Sequence, residues 1–346
     1  MKPFRFILSP FALLLGITLR IRHALFNLGV WKSTTPQIRS IGIGNLSAGG
    51  TGKTPLTIFL SQLFQDQNPV VISRGYGRKS KGLHEVVTGG EAEQFGDEPL
   101  EIKHNSGAQV IVCEKRVKAL QHLKDTSSDA KLIVFDDVLQ HRWVKPHFNL
   151  LLTTFGQPFF EDHLFPWGML RDLKSRAKAA DLILVTKSVF PIENSTAERY
   201  RKSIQQYSSA PVFFTGLAHR FENTQGELLK NPNSDCSHLI ITGIAKPEKF
   251  NEYLGSKGIS GSFHRFSDHH NFKDEELKAI LSKFLKFASE SSTLITTRKD
   301  WTRLSAKQKA LFQSKLQVVI VAIELIFESD QHQNDFQQLV HQGIIE

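Results

Sequence analysis

The stretch SAGGTGKT, residues 47–54, constrains the fold of this chain more than any other feature of its sequence. It follows the apolar run IRSIGIGN and precedes PLTIFLSQLF, so a glycine-rich loop joins a predicted strand to a predicted helix. Gly52, Lys53 and Thr54 match the end of the phosphate-loop pattern G-x-x-x-x-G-K-[ST], whereas Ser47 replaces its first glycine. Such a loop points backbone N–H groups at phosphate oxygens, and the following helix adds the positive end of its dipole.

Each residue type in this loop has a predicted task. Glycine permits positive φ angles and close approach of the ligand. The Lys53 ammonium group is expected to reach the β- and γ-phosphates, and the Thr54 hydroxyl to ligate Mg²⁺. The residues predicted to bind the nucleotide are Ser47, Ala48, Gly49, Gly50, Thr51, Gly52, Lys53 and Thr54.

A second magnesium ligand is needed at the end of a neighbouring strand. The segment KLIVFDDVLQHR has the pattern of a buried strand that ends in Asp136 and Asp137. We therefore predict a magnesium site formed by Thr54, Asp136 and Asp137. The alternative is that the two aspartates only cap a following helix.

Ten short runs rich in Val, Ile and Leu alternate with helix-length segments along the chain. Several are continuous, which is typical of strands covered on both faces of a parallel sheet. The sequence predicts an α/β fold with a P-loop NTPase-type, mostly parallel sheet. The runs are IRSIGIG, PVVISRG, AQVIVCE, KLIVFDD, FNLLLTT, ADLILVT, PVFFTGL, HLIITGI, STLITTR and LQVVIVAIELIF.

The chain length of 346 residues favours about two domains, on a prior of ~150 residues each. Gly and Pro interrupt the pattern at TTFGQPFFEDHLFPWG, which predicts a domain boundary there. We expect an N-terminal region over 1–35, a P-loop domain over 36–155, a second, smaller α/β domain over 156–325, and a C-terminal segment over 326–346 whose packing stays open.

The net charge of +9 favours anionic partners, but it does not choose among nucleic acid, acidic lipid surfaces and phosphorylated substrates. Cys113 and Cys236 stand in unrelated contexts, so neither a disulfide framework nor a zinc site can be built from them. Such cysteine use suits a reducing compartment.

The first 32 residues are apolar and basic. Their longest apolar stretch, FALLLGITL, is shorter than the ~20 residues of a membrane span, and no small-x-small signal cleavage site follows it. Apolar residues recur at helical spacing, with Arg20, Arg22 and His23 near them, which predicts a helix lying in the bilayer interface with its basic residues towards anionic headgroups. An ordinary buried helix is the alternative. The apolar positions are Leu13, Leu14, Ile17, Ile21, Leu25 and Leu28.

Eight motifs occur in one order along the chain: GNLSAGGTGKTP, SRGYGR, GDEP, FDDVLQHR, LFPWGMLRD, TGIAKPEKF, FSDHHNF and TTRKDW. In this order the sequence resembles the tetraacyldisaccharide 4'-kinase (lipid A 4'-kinase) family from about residue 1 to 305. The resemblance implies two α/β domains with the active site between them. It also implies transfer of the γ-phosphate of ATP to the 4'-hydroxyl of a tetraacylated glucosamine disaccharide 1-phosphate, at the cytoplasmic face of the inner membrane.

The resemblance also implies catalytic roles. Asp97 of GDEP matches the family's general base, although its position also suits a helix start. A histidine of SDHH is expected to reach Asp97 when the two domains close. We favour His269 for this role, and His270 stays open.

Three arginines are implied substrate contacts. Arg74 and Arg78 lie in the basic, glycine-rich SRGYGRKSK, and Arg171 lies in LFPWGMLRD. A solvated basic loop is the alternative for the first two. Asp172 replaces the family's Glu and is one methylene shorter, which leaves any direct reach to metal or substrate in question.

The cofactors are predicted to be ATP and Mg²⁺. A guanine-specific N/T-K-x-D motif is incomplete, because VTKSV has Val189 where Asp is needed. The predicted partners are the glycolipid and a membrane surface, with no nucleic acid. The competing hypotheses are a membrane-associated P-loop ATPase of metal-insertion or partition type and a kinase of small molecules.

Overall fold

The computed structural model describes residues 8–126, 128–232, 236–268, 270–289 and 291–345. Its strands form two sheets. The first contains β1 (Arg39–Asn45), β2 (Val70–Ser73), β3 (His84–Glu85), β4 (Gln109–Val112), β5 (Leu132–Phe135), β6 (Phe148–Thr154), β7 (Leu182–Thr186) and β8 (Val212–Phe214). The second contains β9 (Gly216–Glu222), β10 (His238–Thr242), β11 (Ser262–Arg265), β12 (Thr293–Thr297) and β13 (Gln317–Ile326).

The first sheet has the order β3-β4-β2-β5-β1-β6-β7-β8. Its strands are parallel except for β3, which pairs antiparallel with β4. Every residue of β2, β5 and β7 is buried, as the continuous apolar runs predict. Because the carboxyl ends of parallel strands share one edge, the loops after β1, β2, β5 and β7 meet there.

Helices surround both sheets within the described residues. They are α1 (Ser9–Asn27), α2 (Lys53–Leu63), α3 (Ala92–Phe95), α4 (Asp97–Ser106), α5 (Arg116–Asp125), α6 (Asn194–Gln205), α7 (Pro247–Ser256), α8 (Asp274–Phe284), α9 (Arg298–Arg303), α10 (Ala306–Gln313) and α11 (Asp330–Ile345). Helix α2 starts directly after the phosphate loop, and α4 contacts both α2 and α9.

The second sheet has the order β11-β10-β12-β13-β9, with β9 antiparallel to β13. The second sheet and the helices packed on it form a second, smaller unit beside the first sheet and its helices. The predicted α/β class, with a mostly parallel sheet and a smaller second unit, is confirmed. The chain passes between the sheets at Thr215, whereas the boundary predicted near residue 155 falls inside the first sheet. The Gly- and Pro-containing segment 153–168 starts in the last two residues of β6 and continues into the connection to β7. In this connection the Asp162 carboxylate accepts hydrogen bonds from the His163 and Met169 N–H groups.

The C-terminal segment packs on the first sheet, which answers the question its sequence left open. Phe336, Val340 and Ile344 recur every four residues on α11 and are buried in the same core as β1 and β6. The contact is close, since a methyl group on Gly343 would lie 2.2 Å from the Phe148 ring.

Helix α1 packs along one side only. Ala12, Leu19 and Phe26 are buried, and Phe26 contacts the rings of Trp31 and Trp143. The opposite side leaves large apolar side chains exposed. None of the helices in the described ranges combines the length and the apolar character that crossing a membrane needs. The exposed residues include Phe11, Leu13, Leu14, Ile17, Ile21 and Leu28.

Replacement of Phe336 by Ala tests whether α11 belongs to the first core. Its ring is fully buried, so the substitution is expected to lower the free energy of unfolding by about 3–5 kcal/mol. Urea unfolding followed by circular dichroism measures the change. Gln338→Ala, at an exposed position of the same helix, is the control and is expected to change stability by less than about 0.5 kcal/mol. Equal effects would contradict the assignment.

Candidate active site

The phosphate loop has the backbone shape that its glycines predict. It leaves β1 at Asn45 and enters α2 at Lys53. Gly49 and Gly52 have φ angles of 110° and 87°, a region that side chains with a Cβ rarely adopt. The Asn45 side-chain amide donates to the carbonyl oxygen of Ser47 over 2.8 Å, which fixes the start of the loop.

The end of β7 supports the loop from the other side. The Thr186 hydroxyl donates to the carbonyl oxygen of Thr51 over 2.7 Å, and the Lys187 ammonium group donates to that of Gly50. Sequence reasoning treated this Thr-Lys pair only as part of an incomplete guanine motif. The missed signal was a cation directly after a buried strand near the phosphate loop.

Lys187 faces cations from the second unit. Burial, followed by the charges of Lys246 and Lys249, lowers the pKa of Lys187. Ammonium groups that crowd together beside a glycine loop favour binding of a polyanion, because its charge relieves their repulsion. The TGIAKPEKF motif therefore brings positive charge from the second unit towards the phosphate loop.

Asp137 lies beside the phosphate-loop lysine. Its Oδ1 is 3.8 Å from the Lys53 Nζ, and its carboxylate accepts a two-pronged contact from the Arg171 guanidinium. Arg171 also donates to the Asn45 side chain. Burial opposes the charge of Asp137, but the hydrogen bond from Arg171 and the Lys53 charge hold the pKa of Asp137 below its usual value. Arg171, predicted as a substrate contact, is thus bound to a predicted metal ligand.

Asp136 suits a divalent cation. Its Oδ2 accepts a hydrogen bond from the Ser73 hydroxyl over 2.9 Å, whereas the buried Oδ1 has no hydrogen-bond partner among the described residues. Burial raises the pKa of Asp136, and a cation at Oδ1 would offset that cost. Within the same residues no group of three acidic, His or Cys side chains forms a metal cage. Magnesium at a nucleotide needs only one or two carboxylates beside the phosphates, so the residues fit it.

A further carboxylate faces this site from α4. Desolvation by the surrounding protein, followed by the charge of Asp136, raises the pKa of Glu98, which also interacts with Lys53. One turn on, burial and the Glu98 charge raise the pKa of Glu101 to about 7. Sequence reasoning used Glu98 only as part of a helix start, although its place next to Asp97 was a signal.

Asp97 is bound to an arginine of the second unit. The Nε and Nη2 of Arg303 donate to its Oδ2 over 2.9 and 2.7 Å. The same guanidinium donates to the Asp300 carboxylate over 3.0 Å. The predicted base therefore lies where α4 of the first unit meets α9 of the second. Arg303 was missed because it follows the TTRKDW motif rather than lying within it.

Of the two histidines of SDHH, the structure describes His270. His269 lies outside the described residues, so its pairing with Asp97 stays a prediction. His270 places its Nε2 2.6 Å from a Glu276 carboxylate oxygen at the start of α8, and its ring stacks on Phe266. These contacts give His270 a local structural task.

The two arginines of SRGYGRKSK have different surroundings. Arg78 donates to Glu114 and to the carbonyl oxygen of Gly82, and only 2% of its side chain is exposed. Arg74 is exposed at the end of β2, and its charge adds to the effect of burial in lowering the pKa of Arg116. Arg78 thus stabilises the loop internally, whereas Arg74 faces solvent.

The model of the tetraacyldisaccharide-1-P 4'-kinase family matches residues 4–342. The chain belongs to this family. It is 36% identical over 306 residues to the tetraacyldisaccharide 4'-kinase of Flavobacterium psychrophilum, covering 87% of each chain. It is 33% identical over 335 residues to that of Cytophaga hutchinsonii, covering 95% of this chain and 93% of the other.

A solved structure has the same fold. The crystal structure of the "apo" form of LpxK from Aquifex aeolicus in complex with ATP covers 99% of both chains, with a TM-score of 0.78 and 24% identity. Family membership confirms the resemblance drawn from the eight motifs and makes the chain an ATP-dependent kinase. An ATPase of metal-insertion or partition type is not favoured.

Replacement of Arg303 by Met in this kinase tests the contact between the units. The substitution removes the guanidinium that binds the Asp97 and Asp300 carboxylates, which are 12% and 1% exposed. The free energy of unfolding is expected to fall by about 3–5 kcal/mol, measured by urea unfolding. Arg201→Met, in an exposed pair with Glu198, is the control, with an expected loss below about 1 kcal/mol. An Arg303→Met protein as stable as the control would show that the pair does not join the units.

Proposed function

We propose that this kinase transfers the γ-phosphoryl group of ATP to the 4'-hydroxyl of a tetraacylated glucosamine disaccharide 1-phosphate. The observation that carries the proposal is the position of Lys53 and Asp137, 3.8 Å apart, beside the glycine loop of a chain that matches this family. The relatives' name, tetraacyldisaccharide 4'-kinase, supplies the acceptor class.

The nucleotide is bound by residues 47–54. Backbone N–H groups of the loop and the start of α2 face the phosphates, and the Lys53 ammonium group reaches the β- and γ-phosphates. Lys187 adds charge beside Gly50. Lys246 of the second unit adds a further positive charge when the units close on the nucleotide.

Thr54, Asp136 and Asp137 would hold magnesium. When bound, the cation neutralises the phosphate charge that develops during transfer. The orphan Oδ1 of Asp136 is the observation that supports this role. Arg171, which contacts Asp137, is also the proposed contact of the transferred phosphoryl group.

Asp97 is the proposed general base. The acceptor hydroxyl oxygen forms the new bond to the γ-phosphorus, the bond from that phosphorus to the bridging oxygen of ADP breaks, and the hydroxyl proton passes to the Asp97 carboxylate. Arg303 orients this carboxylate from the second unit. His269 is the proposed partner of Asp97 after closure.

The acceptor's 1-phosphate requires cations of its own. Arg74 is the proposed contact, and the surrounding residues support it: burial, followed by the charges of Arg116, Arg22 and Arg74, lowers the pKa of His141 to about 4. This concentration of positive charge lies between α1 and the first sheet. A substrate contact by Arg78 stays a weaker proposal because its side chain is bound to Glu114.

The kinase is proposed to work on a membrane surface, at the cytoplasmic face of the inner membrane. Support comes from the exposed apolar side of α1, which includes Leu14 and Ile17, together with the net charge of +9. The acyl chains of the acceptor keep it in the bilayer. A helix that lies in the bilayer interface therefore brings the active site to the acceptor. The protein would then be peripheral or monotopic.

The decisive assay is phosphorylation of the glycolipid with wild type and Lys53→Ala. The wild type is expected to convert the acceptor only when both ATP and magnesium are present. Lys53→Ala is expected to lose about 10²–10³-fold in kcat/KM, because a charge that stabilises the transferring phosphoryl group is gone. Lys315→Ala, at an exposed position, is the control. ATP hydrolysis at the same rate with and without the glycolipid would contradict the proposal.

Replacement of Leu14 by Asp tests the membrane surface. A charge on the exposed apolar side of α1 is expected to reduce binding to anionic phospholipid vesicles by about tenfold or more, measured by co-sedimentation. Leu228→Asp, the same change at an exposed position of the second unit, serves as the control. Equal binding of both variants would exclude α1 as the membrane contact.

A further inference from the structure

Helix α1 reaches the active-site region through a buried hydrogen bond. The Nε2 of His23 is 2.6 Å from the Asp172 Oδ1, and the side chains are 8% and 0% exposed. The same Oδ1 accepts a hydrogen bond from the Leu173 N–H over 2.8 Å. The shortened acid that departs from the family pattern is therefore bound to the N-terminal helix rather than aimed at the phosphate loop.

The neighbours of His23 define the direction of its hydrogen bonds. Arg142 donates from Nη1 to the His23 Nδ1 over 3.3 Å and to the His23 carbonyl oxygen over 3.0 Å. Because a guanidinium can only donate, Nδ1 accepts, and the ring proton lies on Nε2. His23 therefore donates to Asp172. Arg142 also donates to the Asn27 side chain over 2.8 Å, so the loop after β5 holds the end of α1.

Asp172 and Arg171 lie on opposite sides of one short segment. Leu170 forms a bridge with Ser47, and the Arg171 N–H donates to the carbonyl oxygen of Leu46 over 2.8 Å, so the segment pairs with the phosphate loop. Successive side chains of such a segment point in opposite directions. Arg171 consequently reaches Asp137, while Asp172 reaches α1.

A second contact joins α1 to the same region. Arg22 donates to the carbonyl oxygen of Gln140 over 2.6 Å, and the Gln140 amide donates to the carbonyl oxygen of Asn45 over 2.6 Å. Gln140 follows Asp137 by three residues. Helix α1 thus contacts both segments that flank the proposed metal ligands.

We propose that His23 is a positioning residue for binding of magnesium and ATP, acting through Asp172 on Arg171 and hence on Asp137. The inference rests on the proposed function, because it takes Asp137 as a metal ligand. Removal of the His23 donor leaves the buried Asp172 carboxylate with the Leu173 N–H as its remaining hydrogen-bond donor among the described residues, and such an under-satisfied group draws in water or turns outward. The segment that presents Arg171 then loosens. Groups that orient a metal ligand without touching the metal typically change metal affinity about 10–100-fold when they are replaced.

His23→Leu and His23→Gln separate this role from packing. The leucine fills the space without a donor, whereas the glutamine amide reaches the position of the imidazole Nε2. We expect the Kd of magnesium–ATP to rise about tenfold in His23→Leu and to stay within about twofold of wild type in His23→Gln. Isothermal titration calorimetry on the full chain measures it. In kinetics, the KM for magnesium–ATP rises in His23→Leu by a larger factor than kcat falls, while the KM for the glycolipid stays near wild type.

Two further variants sharpen the test. Asp172→Leu, which removes the acceptor, is expected to weaken magnesium–ATP binding as much as His23→Leu, and the double variant no more than either, because both act through one contact. His332→Leu, the same change at an exposed position of α11, is the control and binds normally. Vesicle binding of His23→Leu stays at the wild-type level, since the exposed side of α1 is unchanged.

The possible failures are distinguishable. Normal magnesium–ATP affinity in His23→Leu, alongside lost binding in Lys53→Ala, overturns the positioning role and leaves the nucleotide site standing. Affinity lost in both His23 variants shows that ring shape matters rather than the donated hydrogen bond, and it also overturns the proposal. Normal binding in Lys53→Ala overturns the proposed function itself.

Discussion

The contact between Arg171 and Asp137 organises the active-site region. It joins the segment after β6 to the end of β5, and the same guanidinium reaches Asn45 at the end of β1. The two side chains are partly buried, and their two-pronged contact fixes the ends of β5 and β1 relative to this segment. Lys53, 3.8 Å from Asp137, completes an arrangement that suits phosphate and a divalent cation.

The two units meet through apolar side chains, including Leu325 of β13 in the core of the first sheet, and through ionic ones. Arg298 at the start of α9 is buried and binds the Glu222 carboxylate and the His104 ring, while Arg303 binds Asp97. Directional contacts of this kind allow only a few relative positions of two units, whereas an apolar surface would tolerate sliding. The proposed mechanism uses groups from both units, so in that mechanism the position of the second unit would decide whether the predicted base is correctly oriented.

The sequence predicted the centre of the fold better than its edges. The ten apolar runs all contain strands, because buried strands need continuous apolar residues. Three strands, β3, β9 and β11, were not predicted as separate strands. Strands β3 and β11 lie at sheet edges and are short and polar, whereas β9 begins inside the run PVFFTGL. The phosphate loop and the carboxylate pair follow from local spacing. The roles of Lys187, Arg303 and His23 depend on contacts with residues far away along the chain, which one sequence does not reveal. The sheet change at Thr215 escaped notice for the same reason.

The return of α11 to the first sheet has a consequence for biosynthesis. Phe336 and Val340 complete a core that otherwise consists mainly of residues from the first two thirds of the chain. While the polypeptide is still emerging from the ribosome, part of the apolar surface of the nucleotide-binding half stays uncovered until α11 is released. The second unit, encoded between these parts, has time to fold first. Maturation of the catalytic half is thereby tied to the synthesis of α11.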